Sequence, residues 1–439
     1  MESVAEIISK KEKLYQRRKK VVPNALGIFN PSSVQYAYGA TMIDADGNEL
    51  IDFAGGIGVI NAGHCPPPVV KAIQEQAERL IHSSFNVAIY EEYLNLAEKM
   101  VSILPHGDAT KVMFLNSGAE AVENVIKIAK QATKRPAVIS FGGGFHGRTM
   151  MAMSLTSKVA YKTGCGPFAP EIYRIDYPVY NKKKNPLSEE AFADQQIQKL
   201  KMFFKANVRS EDVAAIIIEL VQGEGGFYVA PNPYIQKLRK LCDETGILLI
   251  FDEVQSGFGR TGKWAAYEHY NVTPDLSTWA KSMGSGVPIA AVMGKAHLMD
   301  SANPGTIGGT YAGNPICCAA SLATINYMQE ININALGEKV GNIVRKRFES
   351  FQLKYPSVVG EVRGLGAMLA FDVIKDGDDT IPNAELTKKI IDTCAERGLV
   401  VISAGVNGNV IRILSPLVIE ETQLSKGLDI LEKVIAENA

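Results

Sequence analysis

Nothing in this 439-residue chain looks like a membrane anchor, since no apolar run approaches the roughly 20 residues that a spanning helix needs. The stretch MESVAEIISKKEKLYQRRKK carries acids inside its first turns and has no apolar centre, so no secretory signal is expected there. Its basic cluster, Lys10 to Lys20, reads as a solvated helix face. Charge of one sign is also missing: 46 Lys and Arg balance 47 Asp and Glu for a net charge of −1, which gives no electrostatic reason to expect a nucleic acid as partner. The six cysteines (Cys65, Cys165, Cys242, Cys317, Cys318 and Cys394) lack the paired spacing of a metal site, and two of them are adjacent. They read as reduced, partly buried thiols of a cytoplasmic protein, with no bound metal expected. There is no internal repeat and no low-complexity segment, and NKKKNP at 181–186 reads as a charged surface loop.

What is present is an acid and a lysine placed for chemistry. Leu248 to Phe251 is an apolar run of strand length followed by Asp252. In open α/β sheets ligands sit beyond the carboxyl ends of strands, and an acid there can keep a ring nitrogen protonated. Lys281 follows a second β-prone run, Leu276 to Trp279, and precedes a Gly-rich turn that leaves room for a ring; a lysine so placed can form an imine with an aldehyde cofactor. Either residue alone reads equally as a helix cap or a surface charge. A third element weighs against that. Met113 to Arg135 reads as a strand, a small-residue turn and a helix with Ile126 and Ala129 on its apolar face. The backbone N–H groups of Gly118 and Ala119 would face an anion at the positive helix end, with Glu120 and Glu123 suited to the first turn.

Several blocks in order carry a wider resemblance: IDFAGGIGVINAGH (Ile51 to His64), NSGAEAVENVIKIA (Asn116 to Ala129), FHGRT (Phe145 to Thr149), VQGEGGFY (Val221 to Tyr228), DEVQSGFGRTG (Asp252 to Gly262), AKSMGSGVP (Ala280 to Pro288), GGTYAGNP (Gly308 to Pro315) and NVIRILSPL (Asn409 to Leu417). With these the chain resembles, nearly end to end, the class III (ornithine-type) aminotransferases of pyridoxal phosphate fold type I, and within them the bacterial 4-aminobutyrate aminotransferases.

The resemblance implies a role for each matching residue. Lys281 would hold the cofactor and shuttle the proton, and Asp252 would pair with the pyridine nitrogen. Gln255 would donate to the phenolic oxygen, with Val254 and Phe145 packed on the ring faces; plain core packing is the other reading of those two. His146 and Glu219 fall among the cofactor-contacting positions, Glu219 as an acid behind the cofactor and near Arg148. Gly118 and Ala119 would hold the phosphate, joined by Thr310 of a second subunit. Arg148 would take the remote carboxylate of an ω-amino acid, because guanidinium offers a bidentate fork. Arg412 would bind the α-carboxylate of glutamate or 2-oxoglutarate, and Glu224 would neutralise it when the donor lacks that carboxylate. Ile57, apolar where ornithine-specific members present a polar aromatic, suits a plain ω-amino acid. Three departures stand out: Leu220 for a proline, Ser285 for a glycine, and Ala119 for a serine whose hydroxyl would have reached the phosphate.

The fold expected is α/β, a large domain with a mostly parallel doubly wound sheet at 66–320, plus a smaller α+β domain built from 1–65 and 321–439. Asp46, Gly47 and Asn48 signal a hairpin turn between two short strands, and VRGLGAMLAFDVI reads as one strand of the smaller domain. The activity expected is an ω-amino acid transaminase, 4-aminobutyrate and 2-oxoglutarate giving succinic semialdehyde and glutamate by a ping-pong cycle through pyridoxamine phosphate. The partners would be those small molecules and a second subunit, as a homodimer or dimer of dimers. Two alternatives are kept: a transaminase for 5-aminovalerate or acetylornithine, and an amino-acid racemase or epimerase, since the Lys281 region and CCAASLATI are also similar to branched-chain epimerases. A non-enzymatic relic would require loss of Asp252 or Lys281, and both are present.

Overall fold

A computed structural model describes residues 9–107 and 109–439. In chain order its strands are β1 (Tyr36–Tyr38), β2 (Thr41–Ile43), β3 (Glu49–Asp52), β4 (Thr110–Leu115), β5 (Ala137–Phe141), β6 (Ile172–Ile175), β7 (Val213–Ile218), β8 (Leu248–Asp252), β9 (Leu276–Trp279), β10 (Ala290–Lys295), β11 (Val359–Leu365), β12 (Met368–Lys375), β13 (Asp378–Pro382), β14 (Leu399–Val400), β15 (Ile402–Ala404) and β16 (Val410–Ile413).

Seven of these form the central sheet, in the order β4-β10-β9-β8-β7-β5-β6. Strands β6, β5, β7, β8 and β9 run parallel, and β10 is antiparallel to both β9 and β4. The continuous apolar runs VAAIII of β7 and AVISF of β5 are buried at every position, as parallel strands covered on both faces must be. The helix Gly118–Thr133 buries Val122, Val125, Ile126 and Ala129, and these join one side-chain cluster with Val138, Ile217 and Val292 of the sheet. The neighbouring strands β8 and β9 pair Asp252 with Thr278, so Asp252 and the segment leading to Lys281 leave the sheet at the same edge.

Two smaller sheets complete the molecule. The first has the order β1-β2-β3-β14, where Leu399 and Val400 pair in parallel with Ile51 and Asp52, so chain from far along the sequence closes the N-terminal hairpin. The hairpin turn forms where expected, with Gly47 at φ 92° and the Asp44 carboxylate accepting from the N–H groups of Asp46 and Asn48. The second has the order β11-β12-β16-β15, with β13 added beside β12. Here VRGLGAMLAFDVI is not one strand but the two arms of a hairpin, β11 and β12. Gly364 and Gly366 turn the chain at φ 131° and 55°, and a Cβ on Gly366 would lie 2.3 Å from the carbonyl carbon of Thr261. Similar apolar patterning in both arms conceals that turn in the sequence.

The helix Lys10–Val21 buries none of its residues, in keeping with a solvated basic face. No described helix is long and apolar enough to cross a membrane. All six cysteines are free; Cys65 and Cys165 are exposed and the other four buried.

Candidate active site

A cavity of about 440 Å³ opens at the carboxyl edge of β8 and β9, and its wall holds most of the residues singled out from the sequence. Asp252, the last residue of β8, enters it as a fixed carboxylate. Its Oδ2 lies 2.7 Å from His146 Nδ1, while Oδ1 accepts from the Thr278 hydroxyl at 3.0 Å and the Val254 N–H at 3.2 Å. Burial alone would discharge His146, yet the hydrogen bond and charge of Asp252 outweigh it and raise the imidazole above its ordinary value. The two side chains thus hold each other in place, and Asp252 is fixed where it lines the cavity.

Lys281 opens a short 3₁₀ turn, Lys281–Gly284, directly after β9. Its backbone is left-handed, at φ 51°, a conformation uncommon for a side chain of this size and often held in place at functional sites. Burial pushes the amine down to about 8; Glu224 partly opposes this and the Arg412 charge adds to it. A lysine at that value supplies free amine near neutrality, as attack on an aldehyde requires. Ser285, which stands in place of a glycine, also takes the left-handed region at φ 46°, and its hydroxyl is buried without a partner.

Ser117 caps the helix Gly118–Thr133, its hydroxyl accepting from the Glu120 N–H. Gly118 and Ala119, first in the helix and without intrahelical acceptors, line the cavity and present their N–H groups at the positive helix end. Glu120 holds Asn116 by its backbone and side chain, whereas Glu123 serves a neighbouring helix, accepting from the N–H of Met151.

Phe145, Val254 and Gln255 also line the cavity. Gln255 Oε1 is buried with no hydrogen-bond partner, an acceptor left for a ligand to meet, whereas the donation expected of this residue would come from its amide nitrogen. Glu219 joins two loops, its oxygens accepting from the N–H of Phe145 and of Gly223 at 2.8 Å each. Burial pushes its carboxyl up to about 7, although the His146 charge pulls the other way.

Arg412, 3% exposed on β16, does not itself line the cavity but sits 2.7 Å, through Nη1 and Oε1, from Glu224, which does. Burial would raise Glu224, but the charge and hydrogen bond of Arg412 hold it below the usual carboxylate range. Arg148 is exposed at the cavity wall and forms no ion pair among the described residues; its guanidinium instead lies 5.2 Å from the ring centre of Tyr161 and 5.9 Å from that of Phe145. Tyr161, which sequence reasoning did not single out, also donates to Glu224 Oε2 at 3.2 Å.

Two residues lie apart from this group. Ile57, in a left-handed turn at φ 67°, packs against a cluster containing Leu50, Val221 and Phe227, and Val59 reaches the cavity in its place. Thr310 is exposed on its loop, outside the cavity of its own chain.

An amine able to attack an aldehyde, a fixed acid, an anion-binding helix end and an unmet amide suit pyridoxal phosphate together. The class-III aminotransferase family model matches residues 28–435. The chain is 46% identical over 418 residues to a probable 4-aminobutyrate aminotransferase of Bacillus subtilis (strain 168), covering 95% of this chain and 96% of that one. Identity to a 5-aminovalerate aminotransferase of Pseudomonas putida is also 46%, over 429 residues and 98% and 99% of the two chains. A taurine:2-oxoglutarate aminotransferase from Bifidobacterium kashiwanohense, solved with PLP and glutamate, superposes with a TM-score of 0.90 at 28% identity over 98% of each chain. The chain therefore belongs to the class III aminotransferases, and it is a pyridoxal-phosphate-dependent enzyme of fold type I.

Proposed function

We propose that this enzyme moves the amino group of 4-aminobutyrate to 2-oxoglutarate, giving succinic semialdehyde and glutamate. The observation that carries this reading is a pair of guanidiniums in different states: Arg148 without an acid at the cavity wall, and Arg412 neutralised by Glu224 at 2.7 Å. A donor with one carboxylate needs one of them, and the dicarboxylates glutamate and 2-oxoglutarate need both. Arg148 holds the carboxylate common to all three. Glu224 covers Arg412 while 4-aminobutyrate is bound and leaves it for an α-carboxylate, because an unpaired guanidinium in that cleft is costly. An epimerase acting on one-carboxylate amino acids has no use for the second arginine. The similarity to a 4-aminobutyrate aminotransferase supports the same reading.

Pyridoxal phosphate supplies the aldehyde and a protonated ring that draws electrons from the reacting carbon. Lys281 holds the cofactor between turnovers and, once displaced, carries the proton off and onto the substrate carbon bearing nitrogen. Asp252, fixed by His146 and Thr278, keeps the ring nitrogen protonated. Gly118 and Ala119 bind the phosphate, joined by Thr310 of the second subunit of a homodimer; its exposure in the single chain leaves it free for that contact. Six unpaired thiols fit a reducing compartment, the cytoplasm.

The test is a donor panel. Single-turnover rates with 4-aminobutyrate, 5-aminovalerate, β-alanine and acetylornithine, followed by loss of the bound cofactor's absorbance, should favour 4-aminobutyrate. One methylene is worth about 1 to 3 kcal/mol, so 5-aminovalerate is the near competitor. A higher rate with any other donor reassigns the substrate.

A further inference from the structure

Tyr161 ends the short 3₁₀ turn Val159–Tyr161, beyond the helix that follows Arg148, and its partners are unusual for a loop tyrosine. The hydroxyl donates to Glu224 Oε2 at 3.2 Å while Glu224 Oε1 meets Arg412 at 2.7 Å, so the two oxygens of one carboxylate are shared between a phenol and a guanidinium. The ring packs edge-on to Phe145, centroids 5.1 Å apart, and lies 5.2 Å from the Arg148 guanidinium, with the Lys158 amine at 5.7 Å. One side chain thus touches both halves of the carboxylate-binding apparatus: the acid that blocks Arg412 and the cation that stays open.

We propose that Tyr161 is a specificity-determining positioning residue, whose hydroxyl latches Glu224 onto Arg412 and so sets the balance between one-carboxylate and two-carboxylate amino donors. This rests on the reading of Glu224 as a removable cover. The phenol cannot act on a charge it does not touch, and it touches Glu224 in the covered arrangement. A bond present there and weakened when Glu224 swings away stabilises only the covered state, so it opposes glutamate, which must open the cover, and raises the preference for 4-aminobutyrate over glutamate. Burial and the nearby Glu224 charge push the phenol up to about 12, which keeps it protonated, and a donor, at any pH at which the enzyme would be assayed. The ring has a separate part: it gives Arg148 an aromatic face, which holds the guanidinium at the wall without neutralising it.

The test uses the holoenzyme and Tyr161→Phe, which keeps the ring and removes the latch. Single-turnover rate and apparent Kd are measured separately with 4-aminobutyrate and with glutamate. The expected result is a rise of roughly ten- to a hundred-fold in the ratio of glutamate to 4-aminobutyrate specificity, the range of one hydrogen bond to a charged group, appearing mainly as tighter glutamate binding. A general structural role would depress both donors alike and leave the ratio unmoved. Glu224→Gln is run beside it. If Glu224→Gln shifts the ratio and Tyr161→Phe does not, the latch is wrong and the cover stands. If neither shifts it, both are wrong. A fall in the ratio for Tyr161→Phe also overturns the latch. Tyr161→Leu, which removes the ring as well, should add a loss common to both donors through Arg148.

Discussion

His146 Nδ1 and Asp252 Oδ2 lie 2.7 Å apart, joining residues 106 positions apart in the sequence at the end of β8. The imidazole is the hydrogen-bonding partner of the acid that would meet the cofactor ring, and its own value is raised by that contact. His146→Ala leaves Asp252 with a hydroxyl and one N–H. It should lower kcat by about tenfold, or ~1.4 kcal/mol of transition-state stabilisation, with a smaller change in KM. Steady-state kinetics check this; an unchanged kcat would make the histidine a packing residue.

The same pair has a pH signature in stability. A histidine whose folded value exceeds its unfolded value contributes stability that is complete below the unfolded value, near 6.5, and is lost as pH rises through the folded value. Wild type and His146→Gln should therefore differ most in thermal midpoint at mildly acid pH and converge at alkaline pH. A difference that is flat from pH 5 to 9 removes the linkage.

Lys281 carries the opposite sign. Its amine is depressed to about 8, so protonation in the folded protein is disfavoured and stability on its account grows as pH rises from about 8 toward the unfolded value of 10.5. In cofactor-free protein Lys281→Met should therefore raise the melting temperature at neutral pH by a few degrees, with the gain fading above pH 10. The shift corresponds to at most about 3 kcal/mol, less what solvent in the cavity screens. The same variant should be inactive, and borohydride should attach pyridoxal phosphate to wild type at Lys281 alone. Attachment at another lysine, read by peptide mapping, would reassign the cofactor residue.

For the substrate cover, Glu224→Gln should slow the 4-aminobutyrate half-reaction by roughly ten- to thousand-fold while sparing the glutamate half-reaction, and Arg412→Lys should do the reverse. Arg148→Ala should harm both. Stopped-flow measurement of each half in the three variants decides it, and equal losses in both halves for Glu224→Gln would leave Glu224 as a loop acid.

Thr310→Ala should weaken cofactor retention, and mixing it with Lys281→Ala should restore one intact site in hybrid dimers. Absence of complementation, with subunit exchange confirmed by native mass spectrometry, would place Thr310 in its own chain's site.

Much of the candidate site is legible because the residues brought to one cavity sit where strong local signals end. Asp252 and Lys281 each follow a short β-prone run, and Gly118 follows a strand and a capping serine, so position along the chain fixed position in space. Tyr161 has no such signal: it lies in a polar loop, and only tertiary folding brings its hydroxyl to Glu224, 63 residues on. The partnership of His146 with Asp252 was hidden for the same reason, although FHGRT marked the residue. The β11–β12 turn was missed because both arms share one apolar pattern, and two glycines inside a strand-like run are as compatible with a bulge as with a reversal.

The pairing of β3 with β14 has a consequence for how the chain is made. Thr41 and Gln423, hydrogen-bonded at 2.7 Å beside that sheet, are 382 residues apart. During synthesis the hairpin of β2 and β3 waits, its β3 edge open, until the chain has been extended as far as Leu399 and Val400. An unpaired strand edge is a template for another chain, and distant pairings are slow to form. A nascent copy thus carries an open β3 edge for as long as β14 is missing, and a chain cut short before Leu399 leaves that edge without its partner.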